Sequence, residues 1–102
     1  MKHIRTTERD DDWKVLGGTE CSQGAIMVLK RGKSEGGPDN RHEEADQWLF
    51  VVSGKGKATI EGTDVDLEPG SLVLIEAGER HEISNTGDEP LRTINVYAPP
   101  EY

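Results

Sequence analysis

Two short stretches carry the side chains best suited to chemistry. NRHEEADQWLFVV (40–52) sets Asn40, His42, Glu43, Glu44, Asp46 and Gln47 directly before an apolar run, and AGERHEISN (77–85) sets His81 and Asn85 after a turn. In extended chain Asn40, His42 and Glu44 share one face, and Glu44-Ala45-Asp46 is where a kink can re-aim Gln47. His81, Ile83 and Asn85 share a face in the second stretch. Two imidazoles brought together from separate strands, with an oxygen donor beside them, suit a first-row divalent ion and leave positions open for water or a ligand. The competing reading is a metal-free, hydrogen-bonded histidine pair at a strand rim. Gln47 then satisfies backbone groups, and Asn40 is a turn residue after Pro38-Asp39. Asn85, followed by Thr86-Gly87, reads as a turn former. Cys21 has no histidine near it in sequence and reads as a loop thiol.

These side chains need a scaffold, and turn signals recur at short spacing: GG (17–18), GGPDN (36–40), SGKG (53–56), EGTD (61–64), EPG (68–70), AGE (77–79) and NTGDEP (85–90). Between them lie WKVL, AIMVLK, QWLFVVS, KATIE, VDLE, SLVLIE, HEIS and RTINVY, short segments rich in β-branched and apolar residues. No segment supports a long amphipathic helix. The pattern predicts an antiparallel sandwich or barrel, with Pro38, Pro69 and Pro90 in connections, where a missing N–H does no damage. KATIE alternates as a half-buried strand should, whereas WLFVV and LVLI are apolar on both faces. Gln47, Leu49 and Val51 project one way and Trp48, Phe50 and Val52 the other, so one set fills the interior and the other needs a second cover. A homodimer is expected, with Trp48 and Phe50 in core or interface rather than as a substrate platform.

At 102 residues the chain is expected to form one domain, residues 13–102, preceded by a polar arm at 1–12. A net charge of -8 without basic clusters argues against nucleic acid or an anionic membrane as partner. The longest apolar run, Trp48–Val52, is far short of the roughly 20 residues that span a bilayer, and the start lacks the apolar segment of a secretory signal. A lone cysteine fits a reducing compartment, so a cytoplasmic location is expected.

The two stretches together resemble the cupin superfamily, small single-domain cupins in particular. In GSLVLIEAGERHEISN the residues Gly70, Gly78, His81 and Asn85 stand at the spacings of the second cupin motif, with Glu76 in place of its proline. In the first motif His42 matches the second histidine and Gly54 the closing glycine, while Asn40 replaces the first histidine and Gln47 the glutamate. The resemblance covers roughly residues 24–98. It implies an all-β jelly-roll β-barrel built as an antiparallel double sheet, often homodimeric. It also implies a mouth holding Fe, Mn, Ni, Zn or Cu, with His42, Gln47, His81 and Asn40 as the metal set. The reaction stays open among dioxygenase, isomerase and lyase, and a non-catalytic binding or sensor protein is the alternative. Neutral donors leave the ion its full charge, so metal should bind more loosely than in a His3Glu cupin and the ligand should be small and polar or anionic. Glu44, or else Glu43, could swing in to restore a carboxylate, and Glu44 or Glu79 could serve as a base. The terminal PPEY is expected over the barrel base or a partner.

Overall fold

The computed structural model describes residues 1–37 and 40–102; the turn expected at Pro38 lies outside these. After a single 3-10 turn at Thr6–Glu8 come nine strands: β1 Trp13–Gly18, β2 Gln23–Leu29, β3 Ser34–Gly36, β4 Asp46–Ser53, β5 Gly56–Ile60, β6 Thr63–Leu67, β7 Leu72–Ile75, β8 His81–Asn85 and β9 Leu91–Ala98. Each of the eight segments read from the sequence is a strand. The addition is β3, whose Ser-Glu-Gly is exposed and polar and so carries no hydrophobic signal; it is held by pairing with β8. Two sheets form, in the orders β1-β2-β9-β4-β7 and β3-β8-β5-β6, and every paired neighbour is antiparallel. This is the jelly-roll architecture expected, and among the described residues no helix is long and apolar enough to cross a membrane.

Register sorts the interior into layers. Gln23, Tyr97 and Gln47 pair across β2, β9 and β4 as the top row; Ala25, Asn95 and Leu49 form the next, and Met27, Thr93 and Val51 the one below. On the facing sheet β8 turns His81, Ile83 and Asn85 inward in the same descending order. The lower rows join Leu29, Ala58, Leu67, Ile75 and Leu91 in one apolar core. Hydrophobic burial therefore closes the lower half of the barrel, and the polar residues collect at its upper end, the mouth.

Gly54 makes the turn from β4 to β5 possible. Its φ of 91° is one that side chains rarely adopt, and a Cβ there would run into the Pro90 carbonyl. Outside the larger sheet Trp48, Phe50, Val52, Leu72, Leu74 and Val96 stand 38–59 % exposed. Trp48 lies opposite Val96 and Leu74, and Phe50 opposite Ile94 and Leu72, so these side chains share one face. The N-terminal residues lie over part of that face and reach Val52 through Thr6 and Thr7; Arg92 donates to the Arg9 carbonyl and to Asp10 Oδ1, both at 2.7 Å, and Val28 N–H donates to the Asp12 carbonyl at 3.0 Å.

Candidate metal centre at the barrel mouth

The two stretches meet through their backbones. Gly78 N–H donates to the His42 carbonyl (2.6 Å) and His81 N–H to the Asn40 carbonyl (2.8 Å), while the Asp46 carboxylate accepts from Ala77 N–H (2.9 Å). Gly36 permits the approach: with φ 87°, it lies where a Cβ would sit 2.6 Å from the His81 carbonyl oxygen and 3.1 Å from Asn40 Nδ2. As a result Asn40, His42, Gln47 and His81 all line one small cavity, together with Trp13, Met27, Glu35, Ile83, Tyr97 and Tyr102. His42, Gln47 and His81 are buried and Asn40 is exposed at the edge. The imidazole centroids of His42 and His81 are 4.9 Å apart.

A chain of hydrogen bonds fixes how Gln47 is presented. The Thr93 hydroxyl donates to the Met27 carbonyl (2.8 Å), so it accepts from Asn95 Nδ2 (3.1 Å). Asn95 Oδ1 then accepts from Gln47 Nε2 (2.9 Å), which leaves Gln47 Oε1 facing His42 Nε2 at 3.0 Å. Both Thr93 and Asn95 are fully buried, and neither amide can flip without orphaning a buried group. On its far side His42 Nδ1 lies 3.2 Å from the Glu101 carboxylate, and His81 Nδ1 lies 3.2 Å from the Glu79 carbonyl, so each Nδ1 faces an acceptor. With Nδ1 of each ring carrying the proton, both Nε2 atoms bear lone pairs toward the mouth. Asn40 Nδ2, 3.3 Å away, meets that of His81. That of His42 confronts the Gln47 oxygen, and two acceptors in contact call for a cation between or beside them: a proton on His42 or a metal ion.

The donor set fits a metal ion. Donors held at about 2.0–2.2 Å from one ion lie roughly 2.9–3.5 Å from each other, which matches the His42–Gln47 separation of 3.0 Å; Asn40 turns its Nδ2, a hydrogen-bond donor, to His81 Nε2. Outer acceptors on Nδ1 are the usual partners of metal-bound histidine. Among the described residues no three His, Cys, Asp or Glu side chains group as a metal site. The family carboxylate is not restored from Glu43 or Glu44, because Glu43 pairs with Arg41 at 3.0 Å and both are exposed. Glu79 is also turned away, its carboxylate accepting from Glu76 N–H at 2.8 Å.

Several residues of the mouth were not legible as such. They are Gln23, Glu35, Thr93, Asn95 and Glu101; for two of them the alternation Leu91, Thr93, Asn95, Tyr97, with polar residues on the buried phase of β9, is the signal the sequence carries. The terminal PPEY lies over the mouth, rather than the base: Glu101 reaches His42, and the Tyr102 ring packs edge-on to Trp13 (4.6 Å), Tyr97 (5.2 Å) and His42 (6.0 Å). Burial pushes the Tyr97 phenol well above its ordinary value, so it stays protonated, and lowers the His81 value, a neutral ring being cheaper to bury. Asn85 acts as the expected turn former, accepting from Gly87 N–H and donating to the Leu29 and Glu89 carbonyls, all at 2.9 Å.

Comparison with known proteins fits this geometry. The cupin domain model matches residues 25–97, and the chain belongs to that family. It is similar to the oxalate-binding protein of Thermotoga maritima (32 % identity, over 71 % of this chain and 58 % of that one). It is also similar to the acireductone dioxygenase of Bacillus thuringiensis (34 % identity, over 59 % of this chain and 38 % of that one). A solved structure from Bacillus halodurans superposes with a TM-score of 0.88 at 25 % identity, covering 95 % of this chain and 76 % of that one. The chain spans about half the length of the curated relatives it matches.

Proposed function

We propose that the mouth holds a divalent transition-metal ion on His42 Nε2, Gln47 Oε1 and His81 Nε2, with Asn40 at its edge, and that the protein uses this site on a small polar or anionic molecule. The observation that carries the reading is the convergence of His42 Nε2 and Gln47 Oε1 at 3.0 Å, with the Gln47 oxygen turned forward by Asn95. Bound there, the ion would supply Lewis acidity to a ligand oxygen. The chain's own residues do the rest. Asn95 and Thr93 keep the Gln47 oxygen forward, the Glu79 carbonyl and Glu101 carboxylate orient the imidazoles, and Tyr97 holds a phenolic proton at the rim. Relatives named for oxalate and acireductone support a small, oxygen-bearing ligand. Glu35 beside the cavity and Glu101 oppose an anion that is not neutralised by the metal, so ligand binding should depend on metal loading.

Binding without turnover is the second reading, and the placement of Glu44 and Glu79 favours it, since neither expected base reaches the mouth. Elemental analysis of untagged protein, purified without chelator or added metal, tests the site. About one equivalent of transition metal, abolished in His42→Ala and His81→Ala and only weakened in Asn40→Ala, is expected. Less than about a tenth of an equivalent, unchanged on reconstitution, refutes the metal reading, while oxalate titrated with and without metal then measures the ligand dependence.

A second copy of this chain is the proposed cover for the apolar face of the larger sheet. Its six exposed side chains (Trp48, Phe50, Val52, Leu72, Leu74 and Val96) offer on the order of 500 Å² of apolar surface, near the upper end for the largest patch of a monomer and a large part of the roughly 800 Å² per partner of a standard interface. A face pairing with its own copy about a two-fold axis is self-complementary by construction.

A further inference from the structure

Residues 99–102 leave β9 and cross the barrel mouth as a strap. Gln23, on the inner face of β2, holds the strap end at two points: its Nε2 donates to the Tyr102 carbonyl at 2.6 Å and its Oε1 accepts from Tyr102 N–H at 3.0 Å. A side-chain amide here does what a neighbouring strand does for backbone. The Tyr102 ring then completes an edge-to-face set with Trp13, Tyr97 and His42, and Glu101 is brought to His42 Nδ1. Under the closed strap the cavity measures about 20 Å³, room for roughly one water molecule. A larger ligand in this cavity must displace one of its lining groups, and Tyr102 of the strap is among them.

Lifting the strap removes the partner that His42 Nδ1 has among the described residues. An acceptor there favours the tautomer with the proton on Nδ1 and the Nε2 lone pair free for a metal ion beside Gln47 Oε1. We infer that Glu101 is the outer carboxylate of the metal centre, a positioning residue delivered by the strap, so that closing the mouth and holding the metal are one coupled event. The inference rests on the metal reading above. By reciprocity, whatever factor strap closure contributes to metal affinity, metal contributes to strap closure. It also gives a way for a ligand to act on the site without touching the metal donors: whatever displaces Tyr102 from Gln23 loosens His42.

Zinc alone serves as the probe, titrated calorimetrically into chelator-treated protein at neutral pH, with amide exchange of the strap followed in parallel. Glu101→Gln should weaken zinc by about 10–100-fold, the usual loss for an outer-shell partner, and Glu101→Asp should recover part of it. Gln23→Leu, which touches no donor, should weaken zinc by a smaller factor. In the wild type zinc should slow exchange of the Tyr102 amide, and in Glu101→Gln it should not. Metal-free Glu101→Gln keeps a hydrogen-bond acceptor beside His42 Nδ1 and should stay folded, which its melt without zinc checks. Zinc affinity of Glu101→Gln within about twofold of wild type, with His42→Ala abolishing binding, overturns the coupling and leaves the metal site standing. Tyr102 exchange that ignores zinc has the same meaning. A wild type that takes no zinc overturns both.

Discussion

Gln47→Glu would give this chain the carboxylate its family usually has, and the structure predicts that the metal-free protein will suffer for it. Gln47 is 3 % exposed and gives its Nε2 proton to Asn95 Oδ1 at 2.9 Å. The substitution puts a carboxylate oxygen against that carbonyl oxygen. Asn95 cannot turn its amide round, because Nδ2 is committed to Thr93, whose own proton goes to the Met27 carbonyl. Two buried acceptors therefore lose a donor, at roughly 1–3 kcal/mol for an orphaned buried group. His42, 3.0 Å from the other oxygen, offsets part of the added charge when protonated. A net loss of about 2 kcal/mol lowers the melting temperature of a domain this size by roughly 8–16 °C. Zinc should reverse the order: at about 100 times the dissociation constant a bound ion adds roughly 2.7 kcal/mol, and the new carboxylate should tighten it. Thr93→Val frees Asn95 to turn, so the double variant should be less destabilised than the sum of the two singles. Differential scanning calorimetry with and without zinc reads all four proteins. Metal-free Gln47→Glu as stable as wild type, or strict additivity with Thr93→Val, would refute the fixed hydrogen-bond chain.

Burial lowers the His81 value below its ordinary 6.5, so the folded state holds this ring neutral where the unfolded chain would charge it. Its stability contribution is full above pH 6.5 and is lost as pH falls toward the lower folded value. Thermal unfolding of chelator-treated protein between pH 8 and 5 should show this decline, and His81→Gln should flatten it; equal slopes would remove His81 as the cause. Trp48→Glu places a charge at the centre of the exposed apolar face and should leave a folded monomer at concentrations where wild type is dimeric, as light scattering after size exclusion will report. A monomeric wild type would remove the proposed interface. Gly54→Ala forces a side chain into a positive φ and against Pro90, and should cost about 1–3 kcal/mol by chemical denaturation; a cost under about 0.5 kcal/mol would show that the turn adapts.

The fold was legible because apolar alternation and turn residues agree along most of the chain. Leu49 and Val51 point inward with Gln47, as their phase in β4 demands, and Trp48, Phe50 and Val52 point out. Ser34–Gly36 was invisible because its order comes from hydrogen bonds to β8 and not from side-chain burial. Of the candidate site, His42, Gln47, His81 and Asn40 stood out by type, spacing and family resemblance, and all four line the mouth cavity. What spacing could not supply is the layer behind them, since Asn95 and Thr93 matter through register with Gln47 and Met27, strands apart in sequence. Glu101 is harder still: its role depends on Gln23, 79 residues from the Tyr102 it anchors, a pairing no local pattern announces.

X-ray absorption at the zinc edge, on protein loaded with one equivalent, tests the central claim most directly. Two imidazole nitrogens with oxygen donors at about 2.0–2.2 Å are predicted, with the imidazole signal reduced in His42→Ala and in His81→Ala. A shell containing sulfur from Cys21, or one of oxygen alone, would contradict the assignment of the metal to the barrel mouth.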